Sequence, residues 1–495
     1  MKKEELLLSR LMEYQASDAA PFHMPGHKRR MGHEMLEAFP NPYAIDITEI
    51  DGFDNLHHPE GILEDSMEWA AEVYHADKTY YLINGSSGGI LSAICAATHP
   101  GGNILMSRNC HKAAYHGVIL NRLHPEYIYP QILDDMGIQG GIYAQDVENI
   151  LKRGPIPEAV LVVSPTYDGI VSDIQTIAEV VHHYGIPLIV DEAHGAHFSF
   201  GGGSFPRSAL ECGADLVIQS LHKTLPSFTQ TAVLHVRCGR VNIEKVERYL
   251  QIFQSSSPSY VFMAGIESCI YQMDRNGTAW LREFAEDLKQ LRKKLGGLKH
   301  LRLLGPEHVG CAGVFDVDMS KLIVSCRGCA VNVPGQEHGG LNGEGLSAWL
   351  REEYHLEMEM SGVDYVDALI SFMNSREHLE RLAEALLEID GHLEKADDMR
   401  VKAQKNRKKF GIPDICRTPA DASDADSEKL PFAECVDRVS AEFVYLYPPG
   451  IPIVVPGERV TREIVDKVGE YKRIGLPVQG MADGRSEYLR VLRSC

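Results

Sequence analysis

From about Gly61 onward, short apolar runs alternate with stretches of helical periodicity. The runs are Tyr80-Tyr-Leu-Ile83, Gly102-Asn-Ile-Leu-Met106, Ala159-Val-Leu-Val-Val163, Pro187-Leu-Ile-Val190 and Asp215-Leu-Val-Ile218, each bounded by Gly, Pro or Asp. A strand with one wet face alternates apolar and polar residues, whereas continuous runs of this length suit strands covered on both faces. Their alternation with helical stretches predicts an α/β domain on a mainly parallel sheet. Ahead of it lies one helical stretch, Glu4 to Tyr14, and then an irregular segment rich in Pro, Gly and His, which together read as an arm. After Leu301 the texture is mixed. A helix-like run from Ser375 to Lys409 precedes Gly411-Ile-Pro413, Thr418 to Lys429 reads as a mobile loop or linker, and Phe432 to Cys495 is dense in turns. The expected division is an arm over 1–64, a large domain over 65–300 and a smaller α+β C-terminal domain over 301–495, with a linker near 411–430.

Length and composition fit this picture. At 495 residues, with 44% hydrophobic and 24% charged, the chain is ordinary globular protein with room for about two to four domains. No run of about 18 apolar residues suggests a membrane span. The opening Met1-Lys-Lys-Glu-Glu5 does not resemble a secretory signal, and the 11 cysteines are scattered, so we expect a cytoplasmic protein with reduced thiols. The pair Cys326-Arg-Gly-Cys329 has no second pair at zinc-ligand spacing, so no metal is expected. A net charge of −20 disfavours a nucleic-acid partner and is compatible with a cationic small substrate. It equally serves solubility.

Three features fall at the C-terminal ends of expected strands, where open α/β sheets bind ligands. Asn84-Gly-Ser-Ser-Gly-Gly-Ile90 joins a strand to a helix. Small residues let the backbone approach an anion and free N–H groups at a helix start bind phosphate, with Ser86 and Ser87 adding hydroxyls; a plain turn would look the same. Asp191 closes a buried run and needs a partner. A protonated pyridine ring would satisfy it, and so would the start of the next helix. Lys223, in Ser220-Leu-His-Lys223, ends the following strand 32 residues later and could form a Schiff base. Each motif is weak alone. In this order they supply every grip that pyridoxal 5'-phosphate (PLP) requires.

These residues resemble those of a fold-type-I PLP enzyme, and more narrowly of the ornithine/lysine/arginine decarboxylase family. Similar segments run nearly end to end: His23-Met-Pro-Gly-His-Lys28, Asp46-Ile-Thr-Glu-Ile50, Asp54-Asn-Leu-His57, Arg108-Asn-Cys-His-Lys112, Pro165-Thr-Tyr-Asp-Gly169, Ser257-Pro-Ser-Tyr260 and Tyr447-Pro-Pro-Gly-Ile-Pro452. The resemblance implies an aminotransferase-like large domain, a smaller C-terminal domain, and a homodimer with its active sites at the interface. Ser86, Ser87, Ser220 and His222 would hold the cofactor phosphate, His111 would stack on the ring, and His194 would lie near the phenolic oxygen. Thr166 would line the same side. Family members often carry an aromatic residue at the His194 position. Ser255 or Ser256 would reach the partner subunit's phosphate site, and Glu458, near the entrance, would meet the substrate's distal charge. The chain resembles the short form of the family, without a receiver-like domain before the arm, so decamers built through that domain are not expected.

The implied reaction is decarboxylation of a basic amino acid, arginine before lysine or ornithine, to a polyamine-type amine. Asp191 would stabilise the electron-rich ring, and Lys223 or His222 would return a proton to Cα. The same lysine and aspartate would also serve a transaminase or a lyase, and a non-catalytic PLP-fold regulator remains the third alternative.

Overall fold

In the computed structural model, which describes residues 11, 14–29, 41–331, 340–396 and 412–493, the apolar runs become strands of a seven-stranded sheet. Its strands in chain order are β1 (Lys78–Leu82), β2 (Asn103–Ser107), β3 (His124–Ile128), β4 (Ala159–Val163), β5 (Leu188–Asp191), β6 (Leu216–Gln219) and β7 (Ala232–Val236). The spatial order is β1-β7-β6-β5-β4-β2-β3, and only β7 runs antiparallel to its neighbours. The sheet is covered on both faces. Along β5, Leu188 and Val190 enter one core and Ile189 the other, as the two-residue pleat requires. Each such side chain, fully withdrawn from water, contributes about 1.5–3 kcal/mol.

The helices follow from local signals. Ile174–His183 starts at Asp173, whose Oδ1 accepts the Thr176 N–H at 3.1 Å, and it buries Ile174, Ile177, Ala178 and Val181, one stripe at helical spacing. Helix α1 (Gly85–Ala97) follows β1 and lies hard against the sheet. A Cβ on its Gly89 would stand 2.5 Å from Leu82 Cδ1 and 3.2 Å from Ile218 Cγ2, so only glycine permits this approach.

Beyond residue 300 the chain forms two units where one was expected. A four-stranded antiparallel sheet is built from Arg302–Leu303, Lys321–Ser325, Tyr365–Leu369 and Met360–Ser361. With the helices Gly343–Tyr354 and Arg376–Gly391 it shares the core of the large domain. The C-terminal lobe has a core of its own, formed by Phe432, Val444, Val454, Ile464, Val468, Leu489 and neighbours.

Two element expectations are corrected. The helix from Ser375 stops at Gly391, and Leu393–Lys395 pairs as a strand with Cys329–Val331; residues 397–409 lie outside the described residues. The stretch read as a linker is ordered. Thr418 caps the helix Pro419–Asp424, and Ser427–Pro431 pairs with Tyr488–Leu492. The Glu4–Tyr14 helix lies mostly outside the described residues. Part of the arm is fixed: Ala20–Phe22 pairs in parallel with Leu356–Met358. Among the described residues no helix is long and apolar enough to cross a membrane, no group of three or more side chains could hold a metal, and the ten cysteines are free.

Candidate active site

The strand ends gather the expected residues into one buried cluster. Asp191 is the last residue of β5. Its Oδ1 accepts the Ala193 N–H at 3.1 Å, and burial raises its pKa, opposed by the charge of Lys223 and by that hydrogen bond. Lys223 sits on the short helix Leu221–Thr224 immediately after β6. Burial lowers its pKa to about 8; Asp191 opposes this and the like charge of Lys321 adds to it. With a pKa of about 8 the lysine is still mostly protonated at neutral pH, but it gives up its proton far more readily than an ordinary amine, and the neutral form is the nucleophile.

Histidines surround it. His111, after the end of β2, caps the helix Lys112–Leu120, its Nδ1 accepting the Ala113 N–H at 3.2 Å. Burial lowers its pKa to about 3, with Lys223 adding, so the ring is a neutral flat surface. Gly450 of the C-terminal lobe lies over this ring. At φ +80° it occupies the left-handed region, and a Cβ there would meet His111 Cδ2 and Nε2 at 3.1 Å. His222 donates from Nδ1 to the Thr231 carbonyl at 2.9 Å, and burial lowers its pKa to about 4, so in the neutral ring Nε2 is an acceptor. His194 is buried, its Nε2 2.9 Å from Lys223 Nζ, and its pKa is well below the ordinary value, through burial first and then the charges of Lys223 and Lys321.

The expected phosphate grips lie at the end of β1 and the end of β6. The first amides of α1 have no acceptor within the helix, with Ser86 half-buried and Ser87 exposed on that turn. Ser220 Oγ is buried and finds no hydrogen-bond partner among the described residues. An orphaned hydroxyl, a sealed carboxylate and a lysine of lowered pKa fit a ligand that brings acceptor oxygens, a ring cation and an aldehyde, as PLP does. Asn84 Nδ2 donates to the Phe253 carbonyl at 2.8 Å, which ties this loop to exposed Ser255 and Ser256.

Other residues stand differently from expectation. Thr166 is buried, its Oγ1 accepting the Ile170 N–H at 3.1 Å, while the next residue, Tyr167, packs its ring on His194 at 4.5 Å between centroids. Glu458 is not free at an entrance. It is 1% exposed, and both its oxygens accept from Arg108, at 3.1 Å from Nε and 2.9 Å from the terminal nitrogen. The same guanidinium donates to the carbonyls of Pro452 and Ile453, so Glu458 clamps the C-terminal lobe to the end of β2 with its charge already paired and both oxygens engaged.

Sequence reasoning missed four residues here. The Gly26 N–H donates to the His222 carbonyl at 2.8 Å, which lays the arm against the lysine helix. Lys28, nearby and buried, donates to the carbonyls of His23 and Leu369, and burial lowers its pKa to about 7. Glu359 accepts from Tyr167 OH and from the Met24 N–H. Lys321 Nζ reaches His194 Nδ1 at 3.1 Å. The quoted His23–Lys28 segment was the available signal for Lys28; nothing local marks Lys321 or Glu359.

Comparisons with known proteins bear on the family and the fold. The family model for the Orn/Lys/Arg decarboxylase major domain matches residues 6–359, and the one for the C-terminal domain of the same family matches residues 405–472. The chain is 33% identical to an arginine decarboxylase of Bacillus anthracis over 99% of its own length and 97% of that protein. An arginine decarboxylase of Bacillus subtilis is 32% identical over 99% of this chain and 98% of its own. Among solved structures, a lysine decarboxylase of Francisella novicida superposes with a TM-score of 0.75 at 20% identity, over 98% of this chain and 80% of that one. The ureidoglycine-glyoxylate aminotransferase of Bacillus subtilis superposes at 0.52 and 14% identity, over 79% of this chain and 98% of its own. The architecture is the aminotransferase-like one expected.

Proposed function

Because this chain belongs to the Orn/Lys/Arg decarboxylase family, we propose that it is a PLP enzyme that removes the α-carboxyl group of a basic amino acid as CO2, with arginine preferred over lysine and ornithine. The observation that carries this reading is the buried meeting of Lys223, Asp191 and His111 at the ends of parallel strands, in a chain that matches arginine decarboxylases end to end.

When bound, the cofactor supplies a protonated pyridine ring that takes up the electron pair left as the carbon–carboxylate bond breaks. The residues of the chain do the rest. Lys223 Nζ, with its lowered pKa, would be the residue that holds the cofactor covalently. Asp191 supplies the fixed negative charge that keeps the ring nitrogen protonated. His111, neutral and flat under Gly450, would be the residue that stacks on the ring. Ser220, Ser86, Ser87 and the amides of α1 take the phosphate, and His222 joins them as the imidazolium that a nearby phosphate favours. Lys223 Nζ would be the better proton donor to Cα, because the Nδ1 proton of His222 is committed to Thr231 and the Nε2 proton of its imidazolium would be committed to the phosphate. Thr166 lines the same wall.

The functional unit in this reading is a homodimer, with Ser255 and Ser256, exposed in the single chain, set against the partner's phosphate site. Sedimentation should find a dimer; a fully active monomer would dismiss it. The reaction is tested by measuring CO2 released from carboxyl-labelled arginine, lysine and ornithine, and by borohydride reduction followed by peptide mapping. Arginine should release CO2 fastest and the label should fall on Lys223. Faster release from neutral amino acids, or label on another lysine, would overturn the proposal.

A further inference from the structure

Lys321 opens the strand Lys321–Ser325 and is completely buried, as is Asp367 on the adjacent strand. Burying an ammonium is strongly disfavoured unless it is paired and its protons are used. Lys321 Nζ has Asp367 Oδ2 at 3.7 Å, His194 Nδ1 at 3.1 Å and the face of the Tyr167 ring at 5.1 Å. The backbone makes room for it. Gly169 stands at φ +87°, and a Cβ there would meet Lys321 Cβ and Cγ at 2.8 Å. The imidazole of His194 thus bridges two lysines, with Lys321 on Nδ1 and Lys223 on Nε2 at 2.9 Å.

An ammonium donates and cannot accept, and a neutral imidazole has one N–H and one lone pair. Asp367 Oδ2 stands at ion-pair distance without a hydrogen bond, and burial raises the Asp367 pKa to about 7 against the charge of Lys321; as the ammonium, Lys321 donates to Nδ1, and the ring proton then sits on Nε2, facing Lys223. We propose that Lys321 is a positioning residue that acts through His194: it holds the imidazole as the Nε2–H tautomer, and that N–H requires Lys223 to present a lone pair. Lys223 is thereby biased towards the neutral amine, the form that would condense with the aldehyde of PLP. Its nitrogen bonds to the carbonyl carbon, and its two protons leave with the carbonyl oxygen as water.

The other charges near this chain are Lys28, Asp168 and Asp367 around Lys321, and Asp191 and Glu359 around Lys223. Asp191 and Glu359 both favour a charged Lys223; burial opposes them first, and the like charge of Lys321 adds to it. The lowering of the Lys223 pKa to about 8 agrees in direction.

The inference rests on the reading that Lys223 carries the cofactor, and the test separates the two. Full-length apoprotein is mixed with PLP across a pH series, and the rate of condensation, read by absorbance, gives the midpoint at which Lys223 loses its proton. Lys321→Met should raise that midpoint by about one unit, a tenfold loss of neutral amine at a given pH below it. Lys321→Gln, whose amide can still donate to Nδ1, should move it less. If the Met variant does not fold, His194→Phe decides alone: it should raise the midpoint, and adding Lys321→Gln to it should change nothing further. A midpoint unmoved in a folded Lys321→Met, or in His194→Phe, would overturn the role of Lys321 while borohydride labelling of Lys223 still stood. Label on another lysine would instead overturn the cofactor reading.

Discussion

A carboxylate sealed at the end of a β-strand persists where a cation comes to meet it, and Asp191 is in that position, its pKa raised by burial and only one hydrogen bond from its own backbone turn in place. Asp191→Asn keeps the shape and one acceptor but removes the charge. The variant should still take up PLP and should lose about a hundredfold or more in kcat/KM, the loss expected for one preorganised electrostatic partner; steady-state kinetics beside the cofactor absorbance checks this, and near-normal turnover would separate Asp191 from the ring nitrogen. At this scale the site was largely legible. Asp191, Lys223, His111 and Ser220 each sit in a short segment whose neighbours reveal the strand end. Lys321 and Glu359 were not, because their meaning arises only when distant strands bring them to His194 and Tyr167. Glu458 was legible as a residue and misread as a role, because its partner Arg108 lies 350 positions away.

Among the elements, the tightest constraint is the approach of α1 to the sheet at Gly89. Gly89→Val would push the helix from Leu82 and Ile218, at about 1–3 kcal/mol for overpacking, and would carry the phosphate-binding turn with it. We expect a weaker Kd for PLP and a lower Tm together, measured by cofactor titration and thermal melting; unchanged cofactor affinity in the folded variant would show that the turn is placed independently of the helix. The strands found from sequence were those with unbroken apolar runs. β3 escaped because it is an edge strand of alternating texture, His-Pro-Glu-Tyr-Ile, with a proline tolerated only where no neighbour needs its N–H. β7 escaped because His235 interrupts it; in the fold that histidine is buried between Thr79 and Gln219 and hydrogen-bonded to both. The supposed linker carried a readable signal, a threonine cap followed by proline at the first helical position, which its polar composition outweighed.

Across the whole molecule, the Arg108–Glu458 pair fastens the C-terminal lobe to the large domain. Removing one partner of a buried pair leaves an uncompensated charge and costs about 3–5 kcal/mol. Glu458→Gln retains part of the hydrogen bonding, so it should fall at the lower end, about 3 kcal/mol, read as an earlier denaturation midpoint. KM for the basic substrate should be unchanged wherever the variant is folded; a raised KM with unaltered stability would return Glu458 to substrate binding. The lobe also supplies Gly450, which roofs His111 and accepts the Lys112 N–H at 3.0 Å from a position over three hundred residues further along the chain. During synthesis, then, the floor of the pocket leaves the ribosome long before its lid does. A chain released early would carry the residues proposed to hold the phosphate and the ring, yet would lack the glycine that roofs His111.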